Sequence, residues 1–459
     1  MIVMKYGGTS VQDDVAILRS IEAISRQRDL QPVIVLSAMA GATNGLLKIG
    51  DLAHQGDAEG AKAVSAKLRD HHIAVARRLL TGERLSKAEV FVNDCFCHIS
   101  NIIQGLFLLG ECSPRTKDAI ASFGERMSSF IFAETLKERG FPGALVDSRE
   151  VVKTDKNFTQ AVVNQDVSFP LIRERLNPLL AAGQIPVMQG FIGSTADGVT
   201  TTIGRGGSDF SASLVGAALG VEDIQIWTDV PGILTADPRI VPKVFKIKAI
   251  SFAEASELAY FGAKVLHPST LLPAVERNIP VHVCNSMAID QEGTFISAER
   301  IPSSTPIKSI ACKKGITIVN IYSTRMLLAH GFLSRIFEAF EKYRTVVDVV
   351  STSEVNVSLT IDSTGKLDAI LAELKAFADV EVETDAAVIC VVGDNLRSTP
   401  GIAGKIFGAI DNVNVRMISQ GASRINVTFL VRGARMEEVV RRLHDEFFAS
   451  PDPELFEPC

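Results

Sequence analysis

The sequence predicts an α/β protein: a three-layer αβα sandwich on a mainly parallel sheet, followed by two ferredoxin-like units. Three observations predict it. Across the first half, short apolar runs alternate with longer helical patterns. Each of those runs ends in small or polar residues, as strands do where they leave a buried parallel sheet. The last third of the chain carries an internal repeat at a constant offset.

Taken in order, residues 1–8 read as a strand entering a glycine turn at Gly7 and Gly8. Runs 33–36, 185–188 and 224–227 read as buried strands, ending in Ser37-Ala38, Gln189-Gly190 and Thr228-Asp229. Residues 121–139 and 211–219 read as helices between them. Ligands in such sheets bind at the carboxyl ends of the strands, so these polar clusters are where chemistry is expected. Residues 51–98 read as a helical insertion without chemistry, with His71 and His72 on its solvated surface. Turn signals over 291–306 mark a linker. Beyond it, 331–337 matches 401–407 and 356–359 matches 426–429. Each copy reads strand, helix, strand, strand, helix, with strands at 316–321, 346–350 and 355–361, then 387–392, 413–418 and 426–431. The second copy lacks a final strand, and the spare run 307–312 could supply it, so the copies are expected to interlock. The expected domains are 1–292, 306–385 and 386–449.

Composition narrows the function. The 459 residues carry 47 Lys and Arg against 53 Asp and Glu, a net charge of −6. That balance argues against a general nucleic-acid binder and a polybasic membrane surface. At 46% hydrophobic and 22% charged the chain is globular. No apolar run approaches the ~18 residues that span a bilayer, and the first residues lack a signal-peptide pattern. Seven scattered cysteines fit reduced thiols in a cytoplasmic protein. No metal-ligand set is assigned.

Four segments carry chemistry. Lys5-Tyr6-Gly7-Gly8-Thr9-Ser10 sets a lysine at a strand end before backbone amides that can approach phosphate. Gly204-Arg205-Gly206-Gly207-Ser208-Asp209 precedes a helix whose N-terminus favours an anion; alone, Asp209 there reads equally well as a helix cap. It is neither a Walker A loop nor a dinucleotide fingerprint, since Phe210 stands at the third glycine position. Thr228-Asp229 and Asp237-Pro238-Arg239 are turn-like, and Lys264 to Pro268 follows a helical pattern.

In this order, these segments resemble the aspartokinases of the amino-acid-kinase fold. The resemblance includes 37–44 and Phe123-Gly124-Glu125-Arg126-Met127-Ser128, and it covers nearly the whole chain. It implies phosphorylation of the L-aspartate side-chain carboxylate by ATP with Mg2+, the first step toward lysine, threonine and methionine. The repeat then resembles two ACT modules. By resemblance, Lys5 stabilises the transferring phosphoryl and Asp209 orients it. Ser37, Thr43, Glu125, Arg205 and Ser208 bind aspartate, Glu125 taking the ammonium and Arg205 a carboxylate. Gly7, Gly8, Thr9, Ser10, Thr228, Asp229, Leu234, Asp237, Arg239, Lys264 and Val265 form the nucleotide site. Leu234 stands where relatives often carry Tyr. No strong base is required, since a free carboxylic acid ionises near ~4.

In the first repeat, Met326, Gly331, Phe332, Leu333, Asp348, Thr352, Ser353 and Glu354 match the effector pattern of lysine-sensitive monofunctional aspartokinases. Asp348 and Glu354 would meet ammonium groups. Ala329 replaces a hydroxyl common there, which leaves threonine as the alternative effector. The resemblance also implies a homodimer or tetramer through the ACT modules. The paired modules and the 123–128 segment argue against a glutamate, acetylglutamate, carbamate or UMP kinase. The intact Lys5, Glu125, Arg205 and Asp209 argue against a catalytically dead sensor. Too few residues follow the last ACT helix for an added homoserine dehydrogenase.

Overall fold

The computed structural model describes residues 1–262, 268–323 and 331–459. The chain forms two compact units, 1–233 with 266–298 and 234–265 with 299–459.

The strands of the first unit are β1 (Ile2–Tyr6), β2 (Pro32–Leu36), β3 (Gly143–Val146), β4 (Ile185–Gln189), β5 (Ile192–Thr195), β6 (Thr200–Thr202), β7 (Asp223–Thr228), β8 (Val281–Asn285) and β9 (Thr294–Ser297). Within this unit the sheet order is β9-β8-β7-β1-β2-β4-β3. Every neighbour is parallel except β9, which returns antiparallel to β8. β5 and β6 form a separate hairpin, which the two-residue strand Lys153–Thr154 joins in parallel on the β5 side. The helices are α1 (Asp14–Arg26), α2 (Ala42–His54), α3 (Ala58–Leu79), α4 (Gly82–Leu109), α5 (Pro114–Glu138), α6 (Gln165–Ala181) and α7 (Gly207–Leu219).

Strand alternation sorts the side chains of β1. Met4 and Tyr6 enter the core shared with α1 to α5. Tyr6 stacks on Trp227 (centroids 5.8 Å apart) and its hydroxyl donates to Ser20 O at 3.2 Å. Lys5, one residue away, therefore points to the opposite face, where α7 packs on β1.

The stretch expected to be helical over 51–98 is the end of α2, all of α3 and most of α4, and their apolar faces belong to that same core. This corrects His72. It is fully buried, with Nδ1 2.7 Å from Leu68 O, and burial pulls its imidazole down to about 4. His71, about 100° around the helix, is exposed as expected. α7 begins at Gly207, four residues before the expected 211, because Gly206 takes the left-handed conformation (φ 74°) and serves as N-cap.

In the second unit, α8 (Phe252–Tyr260) precedes one six-stranded antiparallel sheet. Its strands are β10 (Ile307–Tyr322), β11 (Val350–Thr352), β12 (Asn356–Ile361), β13 (Asp379–Gly393), β14 (Met417–Gln420) and β15 (Asn426–Arg432), in the order β11-β12-β10-β13-β15-β14. Helices α9 (Phe332–Lys342), α10 (Leu367–Leu374), α11 (Ile402–Gly408) and α12 (Met436–Phe447) complete the two repeats.

The run 307–312 and the strand expected at 316–321 are one continuous strand. Its first half pairs with 387–393 and its second half with both 379–386 and β12. Irregular register around 314–318 and the left-handed Gly315 (φ 77°) bend it between the two repeats. Two expected strands are displaced, 346–350 to β11 and 413–418 to β14. Residues 348 and 349 are held by Thr360 before regular pairing starts. Phe456–Pro458 pairs with Phe245–Ile247 of the same unit. Among the described residues no helix is long and apolar enough to cross a membrane.

Candidate active site

Lys5 leaves β1 at the carboxyl end of the sheet. Its Nζ lies 2.6 Å from Asp209 Oδ1, both side chains being mostly buried. Asp209 is the third residue of α7, so the helix N-terminus, the carboxylate and the lysine meet at one point. The cap role weighed for Asp209 falls instead to Gly206, which offers no side chain.

A cavity of about 640 Å³ opens from this pair. Lys5, Gly8, Ser37, Thr43, Glu125, Arg205, Ser208 and Asp209 all line it, drawn from β1, α2, α5, α7, the turns after β1 and β2 and the loop before α7. Two helices, α2 and α7, present their N-termini to it. Each has a left-handed glycine N-cap, Gly41 or Gly206, and no side-chain cap; the first amides, of Ala42 and Gly207, donate to Met39 O and Gly204 O, which leaves the second, of Thr43 and Ser208, for an anion.

Glu125 is 3% exposed. Its Oε1 accepts from Ala38 N at 3.2 Å, while Oε2 is buried without a partner. Burial pushes this carboxyl up to about 8. An unsatisfied buried carboxylate oxygen facing a cavity is suited to a cation. Arg205 is exposed and makes no hydrogen bond or ion pair among the described residues, leaving its fork open to a carboxylate. Glycine permits the close approaches here. A Cβ at Gly190 would lie 2.6 Å from Ser208 Cβ, and one at Gly124 2.8 Å from Ala38 Cβ.

Sequence reasoning missed other lining residues. Asp118, one turn before the 121–125 face of α5, accepts from Thr159 N (2.9 Å), Thr202 N (3.0 Å) and Thr202 Oγ1 (2.7 Å). It ties the 155–163 loop to β6, and burial raises its carboxyl. Thr159 and Phe191 line the cavity with left-handed backbones, φ 73° and 67°. Non-glycine residues in that conformation are strained, and such strain gathers at functional sites. Lys117 adds a positive charge, held 3.2 Å from Asp51. A spacing of two helical turns before Glu125 was the available signal for Asp118; nothing local marks Thr159 or Phe191.

The nucleotide set is only partly assembled. Of the turn after β1, Gly8 lines the cavity. Gly7 N donates to Trp227 O, and the buried Ser10 hydroxyl donates to Ser286 Oγ at 2.8 Å, so those donors hold the turn against β7 and β8 instead of facing phosphate. Thr9 is half-buried. Thr228 and Asp229 follow β7, where Thr228 O accepts from Ser286. In the second unit, Leu234 is half-buried, and Arg239 folds onto Asp237 at 2.6 Å, exposed and locally neutralised. Lys264 and Val265 lie outside the described residues.

Among the effector residues, Asp348 accepts from Tyr260 Oη at 2.6 Å. Gly331 is the left-handed N-cap of α9, Phe332 is buried in the core of the first repeat and Leu333 is exposed. Thr352, Ser353 and Glu354 are exposed around the end of β11. Met326 lies outside the described residues.

Comparison with known proteins adds independent findings. The model of the amino acid kinase family matches residues 1–285, and that of the ACT domain 389–447. The lysine-sensitive aspartokinase 3 of Escherichia coli K12 is 37% identical, covering 98% of this chain and 99% of its own. The chloroplastic aspartokinase 3 of Arabidopsis thaliana is 35% identical, over 100% of this chain and 83% of its own. The crystal structure of E. coli aspartokinase III with aspartate and ADP (R-state) superposes with a TM-score of 0.83 at 36% identity, covering 98% and 100% of the two chains. The same enzyme with lysine and aspartate (T-state) gives 0.79 at 36% identity, covering 98% and 99%.

Proposed function

The chain belongs to the amino acid kinase family and, within it, to the aspartokinases, and from that membership we propose the following reaction, residue roles and regulation. It is an ATP:L-aspartate 4-phosphotransferase: it transfers the γ-phosphoryl group of ATP to the aspartate side-chain carboxylate and forms 4-phospho-L-aspartate. The observation that carries the residue assignment is the pairing of two unmet demands in one cavity, the orphaned Oε2 of Glu125 and the unpartnered guanidinium of Arg205.

An α-amino dicarboxylate answers both. Its ammonium meets Glu125 and its α-carboxylate meets Arg205, with Ser37, Thr43 and Ser208 donating around it. This fixes the side-chain carboxylate near Lys5. That carboxylate is already ionised, so the residues need only position it and stabilise charge. Lys5 bears on the transferring phosphoryl, and Asp209 holds Lys5 in place. The amides of Thr43 and Ser208 at the starts of α2 and α7 and the Gly8–Thr9 turn stabilise phosphate oxygens. Gly7 and Ser10 support that turn. Thr228, Asp229, Leu234, Asp237, Arg239, Lys264 and Val265 are assigned to the nucleotide.

Among the described residues, no three His, Cys, Asp or Glu side chains converge as a metal site. Magnesium would enter with the triphosphate and supply positive charge beside Lys5 as the phosphoryl group transfers. A cytoplasmic location fits this metabolic role.

For regulation, lysine is assigned to the ACT pair, with Asp348 and Glu354 on its ammonium groups, Met326 and Gly331 near its carboxylate, and Phe332, Leu333, Thr352 and Ser353 around them. The lysine-sensitive relative supports this. β11 and β14 lie at the two sheet edges, where strands of a second copy could add, in keeping with a homodimer or tetramer. Domain limits of 1–292, 306–385 and 386–449, with 307–312 lent to the second ACT module, remain the proposed functional division.

A coupled ADP-release assay tests the reading. Release is expected with aspartate, not with glutamate or without acceptor, and is expected to fall when lysine is added. Equal rates with glutamate would overturn the substrate, and lysine-independent rates the effector.

A further inference from the structure

A second cavity, of about 400 Å³, lies in the first unit outside the aspartate site. Arg126, Arg149, His98, Asn101, Phe123 and Thr200 line it. It is the neighbour of the active site across two shared walls. On α5, residues 119, 122 and 126 face it while 118, 121 and 125 face the aspartate cavity, each set displaced by one residue. On β6, Thr200 faces it and Thr202 faces the other.

Its charges are unbalanced. Asp147 holds Arg149 through two bonds, Nε–Oδ1 at 2.9 Å and Nη2–Oδ2 at 2.5 Å, leaving Nη1 only a long 3.4 Å contact with Thr200 Oγ1. Arg126 is half-buried and lies 4.7 Å from the centroid of the Phe123 ring. It has no hydrogen bond or ion pair among the described residues. Stacking on an aromatic ring places a guanidinium but does not neutralise it. Burial and the repulsion of Arg149 pull its pKa down, and Cys95 and Asp147 oppose this only in part. Polar donors converge beside an apolar wall of Ile102 and Phe123, the usual make-up of a small-molecule site.

We propose that this cavity binds a small molecule with an anionic head, a carboxylate or a phosphate, seated on the Arg126 guanidinium with Arg149 Nη1 and Asn101 beside it. The site is distinct from that of aspartate, which Arg205 serves.

Isothermal titration of the full chain with inorganic phosphate, and separately with glutarate, tests this and distinguishes the two heads. Binding of at least one probe is expected in the native chain and equally in Arg205→Ala, with affinity at least tenfold weaker in Arg126→Gln. Ile102→Trp, which fills the space, is expected to abolish it. Three results would overturn the site: no millimolar binding of either probe, loss of binding in Arg205→Ala, or unchanged affinity in a folded Arg126→Gln. Should Arg126→Gln fail to fold by circular dichroism, unchanged affinity in Ile102→Trp overturns it instead. Because Arg205→Ala removes the aspartate site alone, failure here and failure of the kinase assignment are told apart.

Discussion

Glu125 holds its proton in the folded chain to about 8, against an ordinary 4.5. Between those values the unfolded chain has lost a proton that the folded chain retains. The residue's contribution to stability is therefore fully present below about 4.5 and falls as pH rises toward 8. Glu125→Gln removes that slope, so urea titrations at pH 5 and pH 8.5 are expected to show the variant gaining on the native chain as pH rises. Aspartate reverses the balance, since its ammonium favours the ionised form. Binding at pH 7 should release close to one proton, and binding at pH 9 almost none, measured by calorimetry in buffers of different ionisation enthalpy. A proton count independent of pH would remove Glu125 from the ammonium site. Lys5→Ala should lower kcat by about 10²–10³-fold, the usual cost of one electrostatic contact to a transition state, while leaving the fold intact by circular dichroism.

Two elements hold the geometry under strain of proximity. α7 reaches the cavity only because Gly190 lets Ser208 come close. Gly190→Ala should push back the first turn of α7, with Ser208 and Asp209 on it, and reduce kcat/KM at least tenfold with a modest change in Tm. In the second unit, Lys308 and Glu254 form a buried pair at 2.9 Å, and Glu254 also closes the capping box of α8 with Ser251. Breaking a buried pair from one side leaves an uncompensated charge. Lys308→Met should therefore cost about 3–5 kcal/mol in chemical denaturation, and Lys308→Met with Glu254→Gln should recover part of it.

Across the whole chain, neither repeat owns its sheet. β10 and β13 each run through both repeats, so the first half of β10 has its partner in 387–393. A chain ending at residue 385 would leave that half of β10, from 307 to 314, as an unpaired edge with the buried Ile307, Ile310 and Ala311 uncovered, and such edges aggregate. It should elute as aggregate in size-exclusion chromatography, whereas two independent modules would leave a soluble monomer or dimer. The units also ignore sequence order. Residues 234–262 precede β8 and β9 but group with the six-stranded sheet, and the Lys308–Glu254 pair is one reason.

Much of this was legible from the sequence by itself. Short apolar runs alternating with helical patterns, and the polar residues at their ends, determined the parallel sheet, and the repeat determined the paired modules, because those signals are local. The segment from Lys5 to Ser10 and the 204–209 loop were each ambiguous alone and became legible as chemistry, together with Glu125 inside α5, through the order they share with the aspartokinases. Tertiary structure decided what depends on distant partners. It buried His72 while exposing His71, turned the hydroxyl of Ser10 toward Ser286 and away from the cavity, and set Asp118, Thr159 and Phe191 around it. It also joined 307–312 to the strand after it. Each of these outcomes is settled by which side chain arrives from elsewhere in the chain, and no window of neighbouring residues contains that information.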